Sequence, residues 1–161
     1  SPEAPSPTGL YRQFPEFTQA LPPTGRLLGL DVGEKRVGVA ISDSNRFLAT
    51  PKGVVERKGK KKGVGELKEL VEVQRVQGLV VGWPLEMRGE EGESCGRVLK
   101  FLSILLPALP PGLPCYVQDE RFSTAAVTRQ MQQAGVKRKQ RHQRDDTLAA
   151  VYILQGVLDR L

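Results

Sequence analysis

Leu27-Leu28-Gly29-Leu30-Asp31-Val32-Gly33-Glu34-Lys35-Arg36-Val37-Gly38-Val39-Ala40-Ile41 sets two apolar runs of strand length on either side of a short polar turn, the pattern of a β-hairpin. One acidic side chain, Asp31, lies inside the first run. Leaving a charge there buried and unpaired would cost on the order of several kcal/mol. A divalent cation is the usual partner for such a carboxylate. The alternative is an Asp at a strand end that hydrogen-bonds the turn, and the hairpin alone is compatible with both.

Outward from the hairpin the pattern runs β-β-β-α-β-α-β-α-α. A polar turn at Asp43-Ser44-Asn45 leads into a third strand over Pro51–Glu56. The spacing of Leu67, Leu70, Val71 and Gln74 predicts a helix over Gly65–Gln77, with Glu66, Lys68, Glu69 and Glu72 outside. Leu79-Val80-Val81-Gly82 is wholly apolar, as expected of a buried parallel strand. A second helix is predicted over Arg97–Leu106, buried through Val98, Phe101, Leu102 and Leu105 and ended by the Pro-rich loop Pro107–Pro114. Cys115–Gln118 is the last strand. Ser123–Ala134 and Asp145–Leu158 are the closing helices, the latter buried through Leu148, Val151, Tyr152 and Gln155. Three antiparallel strands followed by alternating helices and parallel strands make an α/β fold, a mixed five-stranded sheet with helices on its faces.

The 161 residues suit one domain with a sizeable core. Residues 1–25 read as a Pro-rich, poorly ordered lead-in, with Tyr11, Phe14 and Phe17 resting on a domain that spans 26–161. No apolar run approaches the ~20 residues of a membrane span. Cys95 and Cys115 are the only cysteines and form no CxxC or Cys/His cluster, so they read as small buried hydrophobes in a reducing compartment. The chain lacks an initiating Met, which points to a processed or truncated form. The expected compartment is the cytoplasm of a bacterial cell, or an organelle if residues 1–25 are the remnant of a targeting sequence.

Two more acidic positions share the logic of Asp31. The last strand ends in Asp119-Glu120-Arg121, at the C-terminal edge of a parallel sheet, where α/β proteins commonly place their sites. The final helix opens with Asp145-Asp146; for Asp145, capping of the helix N-terminus is a sufficient account. Asp146 would project toward Asp31 and Glu120 if its helix packs across the sheet. Carboxylates converging there form an oxygen-ligand site for one or two Mg²⁺ or Mn²⁺ ions, which can activate water and stabilise the leaving oxygen of a phosphodiester. Strand alternation allows only one of Asp119 and Glu120 to face Asp31, and Glu120 is the expected ligand.

Four segments, in order, resemble the YqgF/RuvX family of Holliday-junction-resolvase-like nucleases within the ribonuclease H-like superfamily. They are Gly29 through Ala40, Val80-Val81-Gly82-Trp83-Pro84-Leu85, Asp119-Glu120-Arg121-Phe122-Ser123-Thr124 and Asp146-Thr147-Leu148-Ala149-Ala150. The resemblance covers about residues 26–160. It implies a ribonuclease H-like fold and a metal-dependent nuclease site carried by Asp31, Glu120 and Asp146, with two bound ions expected. It also implies a role in nucleic-acid processing, either maturation of the 5′ end of precursor 16S rRNA or junction resolution. The chain departs from the family at Arg88, where an acidic residue is common, and at Trp83, where Leu is common.

Net charge is +6, from 24 Lys and Arg against 18 acidic residues, which is compatible with a polyanionic partner. Two runs, Arg57-Lys58-Gly59-Lys60-Lys61-Lys62 and Lys137-Arg138-Lys139-Gln140-Arg141-His142-Gln143-Arg144, hold 10 of those 24 cations. The second leads straight into the acidic pair, where a phosphate backbone would pass. Lys35, Arg36, Lys60, Lys61, Arg121, Lys137, Arg138, Lys139, Arg141 and Arg144 are therefore the expected nucleic-acid contacts. Structured RNA or branched DNA is the expected partner, with a homodimer left open. Two other readings are a nucleotide-binding ATPase of the actin/Hsp70 type, disfavoured by the single copy of the domain, and a non-catalytic ribosome-assembly factor, disfavoured by the acidic trio.

Overall fold

The computed structural model describes residues 9–59, 63–121 and 143–161, without the side chains of 143–146. In chain order the elements are β1 (Leu10–Tyr11), α1 (Phe14–Ala20), β2 (Leu27–Val32), β3 (Arg36–Ser42), β4 (Ala49–Glu56), α2 (Val64–Val73), β5 (Gly78–Trp83), α3 (Glu93–Ala108), β6 (Cys115–Asp119) and α4 (Gln143–Leu158). The sheet has six strands in the order β1-β6-β5-β2-β3-β4. β2, β3 and β4 pair antiparallel, whereas β5 is parallel to both β2 and β6. The mixed sheet expected from the sequence is present with one more strand, because β1 adds a two-residue parallel edge at Cys115 and Tyr116. Two residues are too few to carry a period, so this strand has no signature in the sequence.

Strand alternation sorts the core into two layers. Leu28, Leu30 and Val32 of β2 join Leu79 and Val81 of β5 and the inner faces of α2 and α3. Leu27, Ala40, Val80 and Tyr116 point the other way and are covered by Ala150, Ile153, Leu154 and Val157 of α4 together with Phe17 of α1. Cys95 and Cys115 are buried free thiols. Burial pushes the Cys95 thiol up to about 11 and raises that of Cys115 as well, so neither is a thiolate near neutrality.

Several boundaries differ from expectation for local reasons. α2 stops at Val73, and Arg75 then takes a left-handed backbone (φ 52°) that turns the chain toward β5. α3 begins earlier, at Glu93, and carries Pro107 in its last turn, where the ring removes a hydrogen bond close to the end of the ladder. The buried stripe of α4 is rotated from the predicted one: Ala150, Ile153, Leu154 and Val157 are inside, while Tyr152 is 42% exposed. The rotation follows from the contact with β2, where Ala150 and Leu154 face Gly29. The predicted helix over Ser123–Ala134 lies outside the described residues. No helix among the described residues is long and apolar enough to cross a membrane.

The lead-in expected to be poorly ordered departs from that expectation from residue 9 onward. Phe17 is fully buried and stacks on Tyr116 at 5.2 Å, and Phe14 meets the same ring edge-on at 5.6 Å. Arg160 at the end of α4 lies 3.8 Å over the Phe14 ring. This aromatic payload outweighs the cost of ordering a short helix. Truncating Phe17 to Ala should therefore lower the free energy of unfolding by about 3–5 kcal/mol. Urea unfolding of the variant measures this, and unchanged stability would show that α1 contributes no packing.

Candidate active site

Asp31 is the fifth residue of β2 and shares its face of the sheet with Leu27 and Gly29, the face covered by α4. The approach of that helix depends on Gly29. A Cβ there would lie 2.7 Å from the Leu154 Cβ and 3.0 Å from the Ala150 carbonyl oxygen, so the helix backbone rests directly on the strand. Two residues farther along β2, Asp31 emerges half-buried beyond this contact.

The strands on both sides of Asp31 carry glycine at its level. Gly38 of β3 is its antiparallel partner. On the other side Leu30 pairs with Val81, and continuing that register by one residue brings Gly82 beside Asp31. A Cβ on Gly82 would come within 2.6 Å of both Glu120 Oε2 and Ile153 Cδ1. The Glu120 carboxylate therefore occupies space over β5 that a side chain would otherwise fill. Glu120 is 3% exposed. It follows β6 on the alternation that turns Tyr116 and Gln118 toward α4; Gln118 accepts a hydrogen bond from Arg160 at 3.2 Å.

Asp119 faces the other way. Its carboxylate accepts hydrogen bonds from Arg121, from the backbone N–H at 3.0 Å and from Nη2 at 2.8 Å. These hydrogen bonds hold the Asp119 carboxyl below the usual carboxylate range and extend the Arg121 guanidinium's already basic character upward. Arg121 also packs on Gly89, where a Cβ would be 3.0 Å from Nη1.

Position 146 lies in the first turn of α4, four residues before Ala150 and so about 6 Å along the helix from the contact with Gly29. Thr147, the next residue, is buried. The side chains of Asp146 and Arg144 are outside the described residues, and so are Lys60, Lys61, Lys137, Arg138, Lys139 and Arg141. Among the described residues no group of three or more His, Cys, Asp or Glu could hold a metal ion. Lys35 is exposed on the hairpin turn, and Arg36 beside it is paired with Glu56 at 3.2 Å.

Reasoning from acidic residues alone missed Gly38 and Gly82, although glycine inside an apolar strand does signal close approach of another group. It also missed how the chain uses Trp83, one of its departures from the family pattern. The Arg12 guanidinium lies 4.9 Å over the Trp83 ring and pairs with Glu91 at 3.1 Å, joining the lead-in to the loop after β5.

Known proteins share this fold and much of this sequence. Among solved structures, a chain titled "T. thermophilus RuvC in complex with Holliday junction substrate" matches with a TM-score of 0.50 at 18% identity, covering 84% of this chain and 95% of that one, a likeness of fold. A protein from Ehrlichia chaffeensis named "Putative pre-16S rRNA nuclease" is 39% identical over 150 residues, covering 93% of this chain and 95% of the relative. One of the same name from Sphingopyxis alaskensis is 45% identical over 147 residues, covering 91% and 95%. The family model described as "RuvX: Holliday junction resolvase" matches residues 25–160, and the chain belongs to that family.

Proposed function

We propose that this protein is a metal-dependent endonuclease that hydrolyses phosphodiester bonds in structured nucleic acid, with Asp31, Glu120 and Asp146 as the metal-binding carboxylates. The observation that carries the reading is that the Glu120 carboxylate lies over Gly82, the residue that the β2–β5 register sets beside Asp31. Oxygen donors in such a cleared space suit hard cations, Mg²⁺ or Mn²⁺. The ions, when bound, supply an activated water and charge stabilisation for the leaving oxygen. The chain's own contribution is positional. β2 and β6 present the two carboxylates from rigid strands, and the Gly29 contact brings the start of α4 to the same end of the sheet.

Precursor 16S rRNA is the favoured substrate, since the relatives that match across nearly the whole chain carry that name. A four-way junction is the second, in keeping with the family description. Lys35 on the hairpin turn, and the run Lys137–Arg144, would contact the phosphate backbone. Cleavage of precursor rRNA, linear duplex and four-way junction, each with and without Mn²⁺, tests the reading. Metal-dependent cutting of one structured substrate is expected, and no cutting of any would count against an enzyme.

Asp31→Asn and Glu120→Gln should each abolish metal-dependent cleavage, and Asp31→Asn should leave the thermal melt nearly unchanged. Asp119→Asn should stay active, because its carboxylate faces Arg121 on the other side of the strand. An inactive Asp119→Asn beside an active Glu120→Gln would reverse the assignment.

Gly82→Ala separates geometry from charge, since it keeps every carboxylate. Its methyl group would fall within 2.6 Å of Glu120 Oε2 and displace it. The expected result is a loss of cleavage of about tenfold or more, consistent with the cost of a misplacement of about 1 Å. Overpacking should lower stability by about 1–3 kcal/mol. Steady-state kinetics and a urea melt on the same preparation measure both.

A further inference from the structure

On the other face of the sheet, where α3 packs, Arg57, Glu93, Gly96, Arg97 and Lys100 line a cleft of about 460 Å³. Arg57 leaves the end of β4 and folds back beneath the hairpin turn. Its Nη1 donates to the Gly33 carbonyl at 2.6 Å, and its guanidinium lies 5.2 Å over the Phe101 ring. The Nε is enclosed and has no hydrogen-bond partner among the described residues. Burial, and secondarily the charge of Arg97, lowers the Arg57 pKa.

The cations here are balanced differently from those near the carboxylates. Arg121 is held by Asp119 at 2.8 Å and Arg36 by Glu56 at 3.2 Å. Arg97 meets only the exposed Glu34, at 3.4 Å, and no ion pair is found for Arg57 or Lys100 among the described residues. Glu93 is the one carboxylate among the lining residues. The cleft stays open because Gly96 lies inside α3, where glycine is costly for a helix, and a Cβ there would meet nothing within 4 Å. Clustered guanidinium groups beside an open space match a tetrahedral oxyanion, since each presents a planar fork of N–H donors.

We propose that this cleft holds a backbone phosphate of the bound polynucleotide, so that the strand crosses the hairpin turn at Lys35 from the carboxylate side to α3. The proposal rests on the reading of the protein as acting on nucleic acid. It adds a second anchoring point, made by Arg57, Arg97 and Lys100, on the side of the sheet opposite Asp31 and Glu120.

The test uses Gly96→Glu, which puts a carboxylate into open space, and Lys100→Gln, which removes one cation; circular dichroism melts check that both fold. Binding of a four-way junction and of a structured RNA is titrated against salt in EDTA, where metal-dependent cleavage cannot interfere. Gly96→Glu should bind both about tenfold more weakly, and Lys100→Gln should flatten the slope of log K against log salt by about 0.7–0.9, as for one lost phosphate contact. Unchanged affinity and slope in the folded variants would overturn the proposal. A separate arm follows the thermal melt with inorganic phosphate. If phosphate stabilises wild type but not Gly96→Glu while polynucleotide binding is unchanged in both, the cleft takes a free anion, and the backbone assignment is overturned. Cleavage by the wild type with Mn²⁺ is scored apart. Its absence would defeat the nuclease reading, while the binding curves would still decide the cleft.

Discussion

The contact between α4 and β2 at Gly29 governs the arrangement of the candidate site. The Leu154 Cβ and the Ala150 carbonyl oxygen occupy the volume that a side chain on Gly29 would take. A helix held this close cannot slide or roll freely, because closely packed interiors leave no compensating space. The contact thus sets which residues of α4 are buried, and it brings the start of the helix to the end of the sheet where Asp31 and Glu120 lie. Gly82 repeats the device on the neighbouring strand, with a carboxylate and Ile153 in place of helix backbone. In both places a missing side chain positions a group belonging to another element.

The two faces of the sheet carry different chemistry. On the α4 face, Gly82 clears a space into which the Glu120 carboxylate projects. On the α3 face, Asp119 is tied to Arg121, and Arg57 is threaded under the hairpin turn. The turn itself is narrow: Gly33 N–H donates to the Arg36 carbonyl at 2.8 Å, and a Cβ on Gly33 would lie 2.9 Å from that oxygen. A polyanion following the edge of the sheet therefore passes from one chemistry to the other over only a few residues. The lead-in supports this end indirectly, through Arg12 on Trp83 and Glu91, and it seals the core at the opposite end through Phe17 and Tyr116.

Much of the fold was legible because the signals were local. The hairpin, the apolar run before Trp83 and the strand at Cys115 follow from period and length, and the mixed sheet follows from their order. Alternation also said that only one of the adjacent acids Asp119 and Glu120 could face Asp31, without choosing between them. The rotation of α4 was not legible. Apolar residues run without a break from Leu148 to Leu154, so the helix alone does not fix which side is buried, and nothing within it reveals that Gly29 awaits Ala150. The resting of Phe14 and Phe17 on the domain was legible from their aromatic character, but the helix that carries them was not, because its partner is Tyr116, about a hundred residues away.

The sequence by itself determined the succession of strands and helices that makes a mixed sheet, and the placing of acidic residues within or beside apolar runs. It also carried enough ordered motifs to mark the RuvX family. These are properties of neighbours in the chain, which covalent geometry and side-chain alternation transmit directly. Only the tertiary structure decided that Gly29 and Gly82 make room for α4 and for Glu120, and that Arg57, Arg97 and Lys100 share one cleft. Each of those depends on excluded volume between segments distant in the chain, and packing, not propensity, resolves it.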